Sequence, residues 1–136
     1  GKIFFKVPVK KKKIISERSC EIMKDALYKV LSEKGTAPLA HINGYKIYGK
    51  TGTGQKAENG RYVPGKYFSS FVGFLSQNDR NVIISINVDE PQLIYYGGSV
   101  AGPIFKNIMW KILQYWNIPP DYSIEEKMQI TLEKKK

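Results

Sequence analysis

Two runs of alternating apolar residues, YFSSFVGFLS at 67–76 and NVIISINVDE at 81–90, stand almost back to back. Val82, Ile84, Ile86 and Val88 fall on one face of the second run and Ile83 on the other, a period of two that belongs to a strand. The connection, Gln77 to Asn81, is built around Asn78-Asp79. It is far too short for the crossover of about a dozen residues that a parallel pair needs, so these strands must be antiparallel neighbours.

The flanks add to that frame. From Ser16, the residues Cys20, Met23, Leu27, Val30 and Leu31 make one helical stripe, with Ser16 as N-cap and Glu17 in the first turn. Gly35 and Pro38 then predict a helix end near Lys34. Tyr45 to Thr51 reads as a strand with Tyr45 and Ile47 on one face and Lys46 and Tyr48 on the other. Residues 54–66 are polar and Gly-rich, with turn signals at Asn59-Gly60 and Pro64-Gly65, and are expected to form a loop. After YYGGSV, Ser99 can cap a second helix whose apolar stripe is Val100, Ile104, Phe105, Ile108, Ile112, Tyr115 and Trp116; Asn117 and Pro119-Pro120 end it. Residues 1–15 are expected to be extended, with a strand at Ile3 to Val7, and residues 121–136 to form a charged tail. Helix, three strands, helix is an α+β order: a mainly antiparallel sheet packed against helices.

At 136 residues, one domain is the expectation. No run approaches the roughly 20 apolar residues of a membrane span, and no signal peptide is evident. Cys20 is the single cysteine, which excludes an internal disulfide and a Cys-based metal cluster; on an apolar helical face it reads as a buried, inert thiol. His41 is the single histidine, without metal-ligand spacing around it, and reads as a surface or loop residue. No cofactor or metal is expected. The formal charge of +10 is concentrated in Lys10 to Lys13 and Lys134 to Lys136, a solvated loop and a tail, or a handle for an anionic partner.

GYKIYGKTGTGQK, 44–56, satisfies two written patterns. Gly44, four residues, then Gly49-Lys50-Thr51 matches a nucleotide-binding P-loop, but that motif needs a helix to begin at the Lys-Thr so that its N-terminal N–H groups hold phosphate. Here Gly52-Thr53-Gly54 follows, a poor helix start, and Tyr45 to Tyr48 alternate as a strand. The other pattern is Lys50-Thr51-Gly52-Thr53. In serine penicillin-recognising enzymes, Lys-Thr/Ser-Gly lies on a strand at the rim of the catalytic cleft.

Wider matches surround this triplet. IISERSCEIMKDALYKVLSEKGTA, GYKIYGKTGTGQK, YFSSFVGFLS, INVDEP, YYGGSVAGPIFKNI and NIPPD, in that order and spacing over about residues 5–121, resemble the C-terminal half of the transpeptidase domain of class B penicillin-binding proteins, especially the division and sporulation type. The resemblance implies a partial penicillin-binding transpeptidase fold over residues 1–120, followed by the tail. It also implies D,D-transpeptidation, in which a serine attacks the penultimate D-alanine carbonyl of a peptidoglycan stem peptide, and acylation by β-lactams. Carried over by position, Lys50 tunes the electrostatics of the cleft and helps proton transfer. Thr51 and Thr53 hold the terminal carboxylate, the Thr53 backbone N–H forms one arm of the oxyanion hole, and Gly52 keeps the strand edge clear. Gln55 matches a family position without an assigned role, and Gly54 replaces the alanine that the family favours.

The nucleophile motif Ser-x-x-Lys is absent from these residues. Ser-x-Asn occurs at Ser76-Gln77-Asn78 and Ser85-Ile86-Asn87, both after the Lys-Thr-Gly strand, whereas the family places it before. The chain alone is therefore expected to be inactive: one wall of a site within a parent protein anchored on the extracytoplasmic side of a bacterial membrane. Expected partners are stem peptides, β-lactams, the remainder of the domain or a second copy, and cell-division proteins. The rival reading is a basic, non-enzymatic module in which Lys46, Tyr48, Lys50, Lys56, Arg61, Tyr62, Lys66 and Tyr67 bind nucleic acid or another polyanion; under the family reading no nucleic acid is expected. A regulatory paralogue that keeps the fold but recruits partners is a second rival.

Overall fold

The structure, a computed structural model, describes residues 12–77 and 80–121. The strand expected at Ile3 to Val7, the turn residues Asn78 and Asp79, and the tail beyond Asp121 lie outside the described residues. The order is α1 (Glu17–Lys29), a short 3-10 turn (Pro38–Ala40), β1 (Tyr48–Glu58), β2 (Arg61–Gln77), β3 (Arg80–Asp89) and α2 (Gly97–Tyr115). The three strands form one antiparallel sheet in the order β1-β2-β3.

Ser16 caps α1, its side chain accepting from the Ser19 N–H at 3.1 Å. The helix stops at Lys29, five residues before the expected end at Lys34. Beyond it the chain tightens: Leu31 and Ser32 donate back to Tyr28 and Lys29, and Ala37 donates to the Val30 carbonyl. A Cβ on Gly35 would collide with the carbonyl oxygens of Lys29 and Val30, so glycine is what lets the chain fold back over the helix end. No residue of α1 is buried, and Met23 is exposed. Cys20 is half-buried rather than buried, on a helix of which no residue is buried among the described ones. His41 follows the 3-10 turn, half-buried, its N–H donating to Pro38 O.

Residues 54–66 are not a loop. β1 and β2 continue through them as a two-stranded ribbon, closed by Glu58 opposite Arg61. Asn59 and Gly60 turn it with φ of 50° and 77°, the left-handed pair that a two-residue hairpin needs for its twist to match the strands. Pro64-Gly65, the other turn signal, lies in a bulge. Gln55 pairs with Tyr67 and Ala57 with Tyr62, so Lys56 alone faces residues 63–66. Gly65 takes φ 80° there, and Gln55 Nε2 donates to the Val63 carbonyl. The predicted strand start is also shifted. Tyr45 to Ile47 precede β1 because this stretch is tied to the C-terminal end of the fold, Lys46 N–H donating to Asp121 at 2.6 Å and Tyr45 Oη to Ile118 O at 2.9 Å. Burial first, then the negative Asp121, raises the Tyr45 phenol pKa.

Helix α2 lies across the sheet and completes the core. It starts at Gly97, with Tyr96 rather than Ser99 at the N-cap position. Its buried residues are Gly97, Gly98, Ala101, Gly102, Phe105, Met109 and Leu113; of the expected stripe only Phe105 is among them. Ile104, Ile108, Tyr115 and Trp116 are exposed. The first turns of this face, Gly97 to Gly102, are small because there the backbone comes close to β1, β2, Thr36 and Ala40, whereas Phe105, Met109 and Leu113 fill the core farther along. Phe105 meets Phe71 of β2 edge-to-face at 4.8 Å, and a Cβ on Gly73 would run into the Phe105 ring. Asn117, at φ 47°, ends α2 as expected: Ile118 N–H donates to Leu113 O and Asn117 N–H to Gln114 O, the paired bonds of a Schellman cap.

Candidate active site

Lys50, Thr51, Gly52 and Thr53 lie in β1, an edge strand whose outer side no other described strand covers. Lys50 and Thr51 are thus mid-strand, which removes the helix start that phosphate binding requires. Alternation puts Thr51 and Thr53 on one face and Lys50 and Gly52 on the other. Lys50 is exposed, and its ammonium donates to the Thr51 carbonyl at 2.8 Å.

Each threonine hydroxyl meets a group from elsewhere in the fold. Thr51 Oγ1 lies 3.0 Å from Thr36 Oγ1, in the connection between α1 and β1. Thr53 Oγ1 accepts the backbone N–H of Gly97, the first residue of α2, at 3.0 Å. Gly52 makes room for the residue opposite it: a Cβ there would collide with Ser70 Oγ of β2. Next to this, Tyr67 stacks on Tyr95 with centroids 3.9 Å apart and planes at 10°, and Ser69 Oγ donates to the Tyr95 carbonyl, pinning the segment that leads into α2.

Of the described Ser-x-Asn residues, Asn87 is the register partner of Ser70 and so lies two strands from Gly52. Ser85 and Asn87 are exposed on β3, with Asn87 Nδ2 donating to Ser85 Oγ at 3.3 Å, and Ser76 Oγ donates to Asn81 at the far end of β2. The basic residues of the rival polyanion reading are not all free. Lys56 is 2.8 Å from Asp89 and 2.9 Å from Glu90, and Lys66 is 2.7 Å from Glu58. The hydrogen bonds that Lys56 donates to Asp89 and Glu90 raise its pKa, and the one that Lys66 donates to Glu58 lowers the pKa of that carboxyl. These pairs hold the base of the ribbon and leave less charge for a polyanion.

Thr36 and Gly97 went without a role in the sequence. Thr36 lies fifteen residues before Thr51, a separation with no local periodicity to reveal it. Gly97 stands in YYGG, which reads as a turn until the helix is seen to start on it. Among the described residues, no helix is long and apolar enough to cross a membrane.

Comparison with known proteins points one way. The family described as the penicillin binding protein transpeptidase domain matches residues 4–110. Stage V sporulation protein D of Bacillus subtilis is 39% identical over 124 residues, 90% of this chain and 19% of that protein. Peptidoglycan D,D-transpeptidase FtsI of Buchnera aphidicola is 38% identical over 111 residues, again 19% of its length. Among solved structures, penicillin-binding protein 3 of Mycobacterium tuberculosis, complexed with ampicillin, superposes with a TM-score of 0.69 at 30% identity, over 81% of this chain and 26% of that one. The transpeptidase domain of Burkholderia pseudomallei penicillin-binding protein 3 gives 0.64 at 36% identity, over 74% and 30%. The chain thus spans about a fifth of the length of these curated relatives.

Proposed function

This chain belongs to the penicillin-binding protein transpeptidase family, among its class B members, and from that premise we propose that it forms the Lys-Thr-Gly wall of a peptidoglycan D,D-transpeptidase site. The observation that carries the reading is the placement of Lys50 to Thr53 on an open edge strand, with both threonine hydroxyls already engaged by neighbouring elements. A stem peptide laid along that edge would present its terminal carboxylate to Thr51 and Thr53. A serine outside these residues attacks the penultimate D-alanine carbonyl. Its C–N bond to the terminal D-alanine breaks, that D-alanine leaves as the free amine, and an amine of a second stem peptide then attacks the acyl-serine. Lys50 supplies positive charge beside the nucleophile and to the anionic end of the substrate, and the Thr53 N–H stabilises the developing oxyanion. β-Lactams, whose carboxylate and strained amide imitate the substrate, acylate the same serine.

In this reading the rest of the transpeptidase domain covers the exposed apolar sides of α1 and α2, and the parent protein works at the extracytoplasmic face of the membrane, with cell-division or sporulation proteins as partners. Labelling with a fluorescent penicillin, followed by denaturing electrophoresis, tests it. The intact protein that carries this chain should give a covalent band, and Lys50→Ala should slow its formation by on the order of 100-fold. The 136-residue chain alone should give no band; a stoichiometric adduct on it would overturn the placement of the nucleophile outside these residues.

A further inference from the structure

Thr36 and the Gly97 amide come from outside β1, and Gly98, the next residue of the helix, packs against the Thr36 carbonyl. A hydroxyl has one proton to give and lone pairs with which to accept. Thr53 Oγ1 accepts the Gly97 N–H, so its own proton is left to point elsewhere, on a side chain that is exposed. An N–H in the first turn of a helix has no partner within the helix and lies at the positive end of its dipole, so the 3.0 Å contact also satisfies a group that would otherwise need water. Thr36 and Thr51 share one proton between oxygens 3.0 Å apart, and with Thr36 as donor the Thr51 proton is free in the same way.

We infer that Thr36 and the Gly97 amide are positioning groups, which donate to Thr51 and Thr53 and thereby aim both hydroxyl protons at the carboxylate of the substrate. This rests on the reading above that the two threonines hold a carboxylate. The glycine pair at the start of α2 makes the arrangement possible. A Cβ on Gly97 would strike the carbonyl oxygens of Ser70 and Gly52, and one on Gly98 would strike the carbonyl oxygen of Thr36. Only without both side chains can the helix end reach β1 and Thr36 at once.

Thr36 is exposed, so its replacement tests orientation with little cost to folding. The experiment measures the second-order acylation rate of the intact protein carrying this chain, with benzylpenicillin and with its methyl ester, which lacks the anion. Thr36→Val should slow the free acid by about 5- to 10-fold, the order expected for one hydrogen bond, and leave the ester within about twofold of wild type. Thr36→Ser, which keeps the hydroxyl, should restore the free-acid rate to within about twofold. Gly97→Ala, which displaces the helix end from Thr53, should show the same selective loss for the free acid. Equal slowing of acid and ester by Thr36→Val, or slowing of neither, overturns the inference, and if Gly97→Ala melts before assay the two Thr36 variants decide alone. A wild-type protein that the free acid does not acylate overturns the transpeptidase reading instead. A wild-type protein that is acylated, with variants that treat acid and ester alike, overturns only the positioning role.

Discussion

From Tyr48 to Thr53, β1 is held on several sides; from Gly54 to Glu58 the same strand runs on as half of an exposed ribbon. In the first half Tyr48 lies between Tyr28 and Phe74, Gly49 lies under the Phe71 ring, and Thr51 and Thr53 are tied to Thr36 and Gly97. In the second half the cross-strand ladder to β2 is joined by surface ion pairs around Lys56, Lys66 and Glu58. One ladder thus serves two purposes. Where side chains interlock in the core, the strand is held closely; where the ladder is joined only by exposed ion pairs, it is held less.

The largest test of this contrast removes a ring of β2 opposite each half, Phe71 facing Thr51 and Tyr62 facing Ala57. Phe71→Ala should cost about 3–5 kcal/mol in chemical denaturation, because Phe71 is fully buried against Phe105, whereas Tyr62→Ala on the exposed ribbon should stay within about 0.5 kcal/mol. Comparable losses at the two positions would mean that the ribbon is packed against something in the intact protein. Adding a methyl group is the next test. Gly49→Ala forces a Cβ into the Phe71 ring and should cost about 1–3 kcal/mol, while Gly54→Ala meets nothing within 4 Å and should be close to neutral in stability.

Asn59→Ala addresses the ribbon alone. An alanine at φ 50° costs about 1–2 kcal/mol, so hydrogen-exchange protection from Ala57 to Tyr62 should fall several-fold while Gly49 to Thr53 keep theirs. Loss of protection at Thr53 as well would show the two halves to be one cooperative unit. The smallest effect is that of pH. The Glu58 carboxyl titrates below its ordinary range because Lys66 hydrogen-bonds to it, so its contribution to the ribbon is present above that range and is lost as pH falls through the lowered value. The pair is exposed, so the change should be slight, seen as reduced ribbon protection in acid and absent in Glu58→Gln.

These contrasts also explain what could be read in the chain beforehand. The hairpin of β2 and β3 was legible because period-two burial is a local property, and the short QNDR connection leaves one way to join the strands. The end of α2 was legible for the same kind of reason, Asn117 being able to adopt the left-handed cap. The ribbon was misread as a loop because main-chain pairing between polar side chains leaves no hydrophobic signature, and its Asn59-Gly60 signal had to compete with Pro64-Gly65, which the fold uses as a bulge. The face of α2 differs from its apolar stripe because the helix is apolar on several sides: the face that packs is the one where Gly98, Ala101 and Gly102 allow close approach, continued by Phe105, Met109 and Leu113.

The sequence by itself determined the α+β order, the antiparallel frame, the strand carrying Lys50 to Thr53 and, through the matched segments, the family. Each of these depends on residues near one another in the chain, or on an order of motifs that can be read without geometry. The tertiary structure alone decided which groups the two threonines meet. Thr36 and Gly97 lie on either side of β1 in the sequence, fifteen residues before Thr51 and forty-four after Thr53, and the close approach allowed by the Gly97-Gly98 pair brings them together. Hydrogen-bond direction is set over about 3 Å between such distant segments, a scale on which packing acts and sequence spacing is silent.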